Sequence, residues 1–486
     1  MMHDQQSMTL CVDLDGTLVS TDLSLESLLA VIKRAPWLVL LMPLWLLKGK
    51  QVLKAQLANR SNIDVKLLPY RQEVLELIKE ARAEGRTTAL VTGSDQRFAN
   101  AVEAHIGLFD QVYASNEQRN LTSHTKAALL VEKFGDGDFE YVANGRVDLP
   151  VWERAGRVVT VNATSAVQRA AANLGKPKRN IDGVPVSVNT WLSAIRIHQW
   201  VKNVLLFVPL ITAHRLFDLA AFSSVLQGFL AFSLVASGTY ILNDLFDLEA
   251  DRSHNKKRHR AFAAGALSLK SGLIAFATLL AGGVGIALTL PLKFQLALLA
   301  YLLSTLLYSF WLKRVASLDV LILAGLYTLR VIAGGFAASV PPSFWLLAFS
   351  MFMFLCLALV KRIAELIELT EQEQRTESEP SSVRGREYKT DDIPILQILG
   401  ATSGYLSVLV FALYINSEEV IRLYQTPKML LLIAPLLLLW LTRLWVSTSR
   451  GNMHEDPIFF AIKDPGTWMT ALMTTAILAM ATAVDF

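Results

Sequence analysis

Two short acidic stretches stand out in this sequence for the chemistry they could do. The first, Asp13-Leu14-Asp15-Gly16-Thr17-Leu18, follows the apolar run Met8 to Val12. A carboxylate nucleophile with a second carboxylate two residues on, able to give and take a proton, suits phosphoryl transfer. The second stretch, Asn243 to Asp251, reads NDxxDxxxD. On a helix Asn243, Asp247 and Asp251 fall along one face, with Asp244 on the neighbouring edge. Clustered acids repel one another unless something positive joins them. A hard cation such as Mg²⁺, which takes oxygen ligands and is often shared with substrate phosphates, would suit Asn243, Asp244, Asp247 and Asp251. The plainer alternative is a solvated helix end that bears acids. A basic run, Arg252 to Arg260, follows directly. Its residues, Lys256 and Arg260 among them, read as a membrane-edge anchor, as contacts to diphosphate oxygens, or as both.

The elements that must position these residues differ between the two halves of the chain. The 486 residues are 53% hydrophobic and 18% charged, with a net charge of +4. Mean hydropathy is +0.39. Up to about residue 190 the sequence mixes charge and apolar residues as a soluble domain does. Apolar runs at MTLCVDLDG, RTTALVTGS, EYVANG and GRVVTVNAT, with helical stretches between them, predict a parallel α/β sheet. A helical insertion lies between Ser20 and Tyr70. Its run Pro36 to Leu47 is too short to cross a bilayer and reads either as a buried helix or as a Trp-bearing interfacial anchor. A linker is expected at 176–190.

From about residue 198 the apolar runs approach the roughly 20 residues that a membrane helix needs. Nine helices are expected, at 200–213, 220–243, 270–291, 294–312, 318–339, 343–362, 394–416, 428–446 and 466–484. With the N-terminus inside, Arg252, Lys256, Lys257, Arg258, Arg260, Lys313 and Arg314 fall in cytoplasmic connections, and Lys361-Arg362 borders another. That is the positive-inside bias. No basic region followed by an apolar one opens the chain, so the N-terminal domain is expected to stay in the cytosol. The two cysteines, Cys11 and Cys356, both lie in apolar runs, which argues against a disulfide framework or a cysteine metal site. Arg330 lies inside an expected span, where a lone cation is costly, and a role in a polar cavity is expected for it. Lys361 and Arg362 read equally as phosphate contacts or as a further positive-inside pair. Asp319 could pair with Lys313 or Arg314.

The second half resembles the UbiA prenyltransferase superfamily. The resemblance rests on NDxxDxxxD, on Arg260 to Gly265 after the basic run, and on Arg196 to Asn203 as an opening helix. It spans about residues 190–486 and implies a helical bundle with a polar cavity open to the cytosol, with Lys202 and Asn203 among the substrate contacts. Aromatic prenyltransferases of this family usually carry a second acidic motif, DxxxD. Here the corresponding place reads Lys361-Arg362-Ile363-Ala364-Glu365. With Ser317 to Val320 and Leu329 to Gly335, this element resembles the decaprenyl-phosphate phosphoribosyltransferase branch. That branch transfers 5-phosphoribose from phosphoribosyl diphosphate (PRPP) to a polyprenyl phosphate. The first half resembles the haloacid-dehalogenase-like (HAD-like) superfamily. Asp13 and Asp15 match its first motif, Thr92-Gly93-Ser94 the second, Lys126 the third and Asn144 to Asp148 the fourth. The resemblance implies Asp13 as nucleophile, Asp15 as acid–base, Thr92 and Lys126 as phosphate contacts, and Mg²⁺ at Asp13, Asp15 and Asp148.

The expected architecture is therefore a HAD-like Rossmannoid α/β domain with a helical cap at 1–175, the linker, and a UbiA-like all-α membrane bundle at 191–486. The expected partners are a polyprenyl lipid, a diphosphate substrate and the bilayer, with no nucleic acid. The expected location is a bacterial inner membrane. Prenyl transfer to an aromatic or quinone precursor is the rival chemistry. A lipid-binding or transport protein with an inert soluble domain is a rival of another class.

Overall fold

A computed structural model describes residues 8–183, 185–376, 387–453 and 457–483. Within these, the side chains of 369, 371–376, 419, 422, 459 and 483 are not described. The chain divides into two compact units, one of 1–196 with 240–278 and the other of 197–239 with 279–486.

The first unit is built on a six-stranded parallel sheet of order β3-β2-β1-β4-β5-β6. Its strands are β1 (Thr9–Val12), β2 (Thr88–Asp95), β3 (Gln111–Ser115), β4 (Phe139–Ala143), β5 (Arg157–Val161) and β6 (Lys178–Ile181). Strands β1 and β4 are wholly buried, as a sheet covered on both faces requires. Leu10, Val12 and Leu90 pack on one side with Val74 and Ile78. Cys11, Ala89, Val91 and Tyr141 pack on the other with Leu130 and Trp152. Strand order reverses beside β1, so the ends of β1, β2 and β4 border a crevice of the kind where doubly wound sheets bind ligands.

The α/β sheet agrees with expectation, with two additions. Strand β3 was not anticipated. Strand β6 occupies the first part of the stretch expected to be linker, pairing Lys178–Ile181 with Val158–Val161. The cap insertion comprises α1 (Leu23–Arg34), a 3₁₀ segment Pro36–Leu41, α2 (Met42–Leu47) and α3 (Lys50–Arg60). Helix α1 starts where Asp22 accepts from the backbone N–H of Leu25, and its last turn carries Lys33 and Arg34, matching the helix dipole at both ends. No residue of Pro36–Leu47 is buried, so the buried-helix reading of that run does not hold. Helices α4 (Gln72–Ala83), α5 (Gln96–Ile106) and α6 (Ser123–Phe134) complete the layers used below.

Among the described residues seven helices are long and apolar enough to cross a membrane. They are Leu219–Phe246, Leu269–Ala287, Leu292–Phe310, Leu318–Ala337, Phe344–Glu368, Thr390–Tyr414 and Pro427–Ser449. The run expected at 200–213 is not such a helix. It forms a 3₁₀ segment, Ile197–Phe207, and a short helix, Val208–Thr212, with Lys202 and Asn203 buried. The run expected at 466–484 forms the helix Pro465–Ala483, which is not one of the seven.

Candidate functional site

The soluble cluster lies at the carboxyl ends of β1, β2 and β4. Asp13 directly follows β1, and its backbone N–H is fixed by the carbonyl of Val142 at 2.9 Å. Lys126, on the first turn of α6, donates to Asp13 Oδ1 at 2.8 Å and to Tyr141 Oη at 2.8 Å. Tyr141 donates in turn to Asp148 Oδ1 at 3.0 Å, and Lys126 Nζ lies 3.7 Å from the same oxygen. Asp15 accepts from Ser94 Oγ at 2.5 Å and from the N–H of Leu23, the first residue of α1, at 2.9 Å. Thr92 is fully buried on β2 and accepts from the N–H of Ser94 at 3.0 Å. The structure thus gathers Asp13, Asp15, Lys126 and Asp148, with Thr92 on the adjoining strand.

Tyr141 and Lys54 of this cluster were not singled out from the sequence, and Ser94 was read only as part of the Thr92-Gly93-Ser94 motif. Tyr141 reads as one more apolar position of a strand, but its hydroxyl joins Lys126 to Asp148. Ser94 holds Asp15. Lys54, on α3 of the cap, donates to the carbonyl of Gly93 at 2.7 Å and reaches Asn120 Oδ1 at 3.4 Å. Burial pulls Lys54 below its ordinary value.

The electrostatics are set first by burial and then by neighbouring charges. Burial, together with nearby Asp22 and Asp13, pushes Asp15 up to about 7 in spite of its hydrogen bonds. Burial and the Asp13 carboxylate push Asp148 up to about 6, against the pull of Lys126. Burial draws Lys126 down, but Asp13 and Asp148 more than offset this and hold it above its usual value. A carboxyl poised near 7 can serve as general acid and then as general base at neutral pH.

The membrane-edge acids are arranged differently. The helix Leu219–Phe246 breaks at Asp247 and resumes as Leu248–Arg252, so the motif does not run along one unbroken helix face. The i to i+4 bonds nevertheless persist, Asp247 N–H to Asn243 and Asp251 N–H to Asp247. Each acid carries a cation. Asp244 lies 2.5 Å from Arg196 and 3.2 Å from Arg260. Asp251 accepts from Arg260 through both oxygens, at 3.0 and 2.9 Å. Asp247 lies 2.6 Å from Lys33, which also donates to the carbonyl of Phe246 at 2.9 Å. Asn243 is half-buried, and Lys256 is exposed.

Helix α1 therefore touches both acidic groups. Its first N–H bonds Asp15, and Lys33 in its last turn bonds Asp247. Between them Glu26 takes Arg252 bidentately, at 2.6 and 3.1 Å, both residues buried. Arg252 also donates to the carbonyl of Ala263 at 3.0 Å. Gly265, at φ +71°, ends the turn begun at Arg260. A Cβ there would lie 2.4 Å from Cβ of Ser20, so a side chain has no room.

In the second unit Lys202, Asn203 and Arg330 form one buried polar network. Arg330 donates to Asn203 Oδ1 at 2.8 Å, to the Leu326 carbonyl at 2.7 Å and to Tyr301 at 3.1 Å. Arg330 and Lys202 both stand over the Tyr327 ring, at 5.5 and 5.7 Å. Gly334 permits this packing, since a Cβ would lie 2.0 Å from the Leu206 carbonyl oxygen. Lys202 also borders an apolar cavity of about 390 Å³ lined by Leu205, Phe354, Trp440 and Trp468.

Arg362 departs from expectation. It is fully buried and lies 2.5 Å from Asp319, which is also fully buried. It also pairs with Glu365 and stacks on Tyr388. Tyr388 donates to the other oxygen of Asp319 at 2.7 Å. Nε and Nη2 of Arg362 and Oδ2 of Asp319 make no hydrogen bond among the described residues, so Nη2 and Oδ2 meet by charge alone, and Asp319 pairs with Arg362 rather than with Lys313 or Arg314. Lys361 is half-buried. No group of three or more acidic, histidine or cysteine side chains is drawn together closely enough for a metal centre among the described residues. The acids at 13, 15 and 148 and those at 243–251 are neighbours without converging on one point.

Comparison with known proteins agrees with this division. The UbiA prenyltransferase family matches residues 204–463, and haloacid dehalogenase-like hydrolase matches 10–175. An uncharacterised protein of Sinorhizobium fredii is 39% identical over 98% of this chain and 91% of its own length. Nodulation protein NoeC of Azorhizobium caulinodans is 32% identical over 59% of this chain and 91% of its own. Decaprenyl-phosphate phosphoribosyltransferase of Mycolicibacterium smegmatis is 36% identical over 42% of this chain and 64% of its own length. A UbiA homolog of Archaeoglobus fulgidus, solved with DMAPP and Mg²⁺, aligns with a TM-score of 0.44 at 15% identity, over 61% of this chain and all of that one. The chain belongs to the UbiA prenyltransferase family, as an integral membrane enzyme that carries an N-terminal HAD-like hydrolase domain.

Proposed function

We propose that this enzyme transfers 5-phosphoribose from PRPP to a polyprenyl phosphate at the cytoplasmic face of a bacterial inner membrane, and that its HAD-like domain removes a phosphate from the product. In the transfer, an oxygen of the acceptor phosphate attacks C1 of the ribose and the C1–O bond to diphosphate breaks, releasing pyrophosphate. The acceptor is already an anion, so no strong base is required. Arg196 and Arg260 stand at Asp244 and Asp251, where they can turn to diphosphate oxygens. Lys202, which borders an apolar cavity, would hold the phosphate of a lipid whose chain lies against Leu205 and Trp440. Lys256 and Lys361 remain candidates for peripheral phosphate contacts.

The observation that carries this reading over prenyl transfer is the engagement of Glu365 by the buried Arg362. Prenyl transfer calls for a second carboxylate cradle, and Glu365, its nearest candidate here, is already paired. Glu368 and Glu371 would be the remaining acids, and the side chain of Glu371 lies outside the described residues. Identity to decaprenyl-phosphate phosphoribosyltransferases supports the same choice.

In the soluble domain Asp13 would attack phosphorus while Asp15 protonates the departing oxygen. Water would then cleave the aspartyl phosphate, with Asp15 taking its proton, to release phosphate and restore Asp13. Thr92 and Lys126 would hold phosphate oxygens, and Lys126, donating to Asp13 Oδ1, would hold the nucleophile in place. Mg²⁺ suits this donor set, because Asp13, Asp15 and Asp148 are oxygen donors, Asp13 and Asp148 buried, and burial with neighbouring carboxylates pushes Asp15 and Asp148 up, which a bound cation would offset. Asp13 and Asp148 would hold it, and it would neutralise the phosphate. At Asn243, Asp244, Asp247 and Asp251 the donors suit a cation that arrives together with an anionic diphosphate, since the acids already carry basic partners.

The test is a donor screen on the purified full chain with Mg²⁺. PRPP with polyprenyl phosphate should release pyrophosphate and label the lipid with ribose. Label transfer from a prenyl diphosphate to an aromatic acid, with none from PRPP, would establish the rival chemistry.

A further inference from the structure

The cap of the soluble domain carries an apolar surface that its own fold leaves uncovered. Across Pro36–Leu47 there is no charged residue and no buried one. Leu47 is 84% exposed, Leu40 79% and Trp37 66%, with Leu44 and Leu46 at least half exposed. Apolar residues scattered singly on a surface are ordinary, but a contiguous run of large ones marks a contact surface.

The run's surroundings indicate what covers it. Lys33 and Arg34 precede it, and Lys48 and Lys50 follow it, so both ends are basic. Lys33 holds the carbonyl of Phe246 and the carboxylate of Asp247. Phe246 is the last residue of a membrane-crossing helix. The apolar run therefore begins three residues beyond a side chain fixed at the membrane edge. At about 1.5 Å per residue its twelve residues reach roughly 18 Å, well short of the roughly 30 Å hydrocarbon core. It is too short to cross and too apolar to face water. Its basic flanks match the anionic headgroups of a cytoplasmic leaflet.

We infer that Pro36–Leu47 is an interfacial anchor, lying in the headgroup layer of an anionic bilayer with Trp37, Leu40 and Leu47 turned to the acyl chains. Such segments seat their apolar face about 5–10 Å into the headgroup boundary. The anchor runs through Gly49 directly into α3, whose Lys54 reaches Gly93 beside the soluble acidic cluster. The lid that carries Lys54 is thereby seated on the membrane. Nothing in this inference depends on which donor the transferase uses.

Nitroxide labels on the full chain in nanodiscs of phosphatidylglycerol and phosphatidylcholine test it. Cys11 and Cys356 are buried, out of easy reach of a label. Labels at Leu40→Cys and Leu47→Cys should collide readily with oxygen and several-fold less with a water-soluble nickel chelate. A control at Glu76→Cys, exposed on α4, should show the reverse. Nickel accessibility at 40 and 47 equal to that at 76 would overturn the inference. Spin–spin broadening between labels, lost when unlabelled protein is mixed in, would overturn it too, in favour of a second copy as occupant. Because labelled Leu40→Cys could disturb packing, quenching of native Trp fluorescence by brominated lipids is a second measure. It should fall in a Trp37→Ser/Trp45→Ser variant by more than two of the ten tryptophans' equal share. An unchanged quenching amplitude would contradict the anchor.

Discussion

The two acidic groups of this enzyme differ in how they are neutralised. In the soluble domain Asp13 and Asp148 share the ammonium of Lys126, while burial first and neighbouring carboxylates second push Asp15 and Asp148 up. At the membrane edge Asp244, Asp247 and Asp251 meet Arg196, Lys33 and Arg260, one cation for each acid. On the proposed function the first group would take a divalent cation by itself. On the same reading the second would gain little from a bare cation and much from a cation bound to diphosphate, because the freed arginines could then turn to the diphosphate oxygens. Clustered aspartates would then serve two binding modes, set by the neighbouring bases.

The sharpest way to break this comparison is to disable one group and watch the other. Asp13→Asn should reduce phosphomonoester hydrolysis by roughly 10⁴-fold or more, as loss of a nucleophile does, while transfer stays within about twofold. Asp251→Asn should do the reverse. Steady-state assays of both activities on each variant decide it, and parallel loss in both would show one shared site.

Next in size is the pair on α1 that stands between the groups. Glu26→Ala leaves the buried Arg252 guanidinium without its partner, which costs about 3–5 kcal/mol. Denaturant unfolding of the full chain in detergent should show the soluble transition at lower concentration. A loss under 1 kcal/mol would mean that water reaches Arg252.

The burial of the soluble acids also predicts a pH dependence. Asp15 and Asp148 bind their protons more tightly folded than unfolded, so their contribution to stability is full below about pH 4 and is lost as pH rises through about 6 and 7. The Mg²⁺-induced rise in thermal midpoint should therefore grow from pH 5 to pH 8. A constant rise across that range would contradict the charge account. The smallest effect is expected from Lys33→Met. Lys33 and Asp247 are each about a quarter exposed, and such partly exposed pairs contribute roughly 0.2–1 kcal/mol. Pyrophosphate affinity should change by no more than about fivefold, measured by calorimetry.

How much of this was legible in the sequence follows from what each residue type announces. Strands β1, β2, β4 and β5 are apolar runs, and they were readable. The edge strand β6 is Lys178-Arg179-Asn180-Ile181, polar because one side is unpaired, and it reads as linker. Strand β3 begins at an exposed Gln111. Asp13 and Asp15 carried their part of the site by type and spacing, and the HAD-like resemblance implied Lys126 and Asp148. Tyr141 did not declare itself, since a tyrosine in a buried strand looks like core until its hydroxyl is placed. Arg362 misled for the opposite reason: a cation near a membrane edge suggests a phosphate, and only the fold brings Asp319 and Tyr388 around it. The acidic motif announced its chemistry but not its bases, because Lys33 and Arg196 are remote in sequence.

The comparison is tested most directly by Mn²⁺ titration followed by electron paramagnetic resonance, on the full chain and on Asp148→Asn, each with and without pyrophosphate. The full chain should bind one ion without pyrophosphate and a second with it, and Asp148→Asn should keep only the pyrophosphate-dependent ion. Two ions bound without pyrophosphate, or one ion retained by Asp148→Asn in its absence, would contradict the division between the groups.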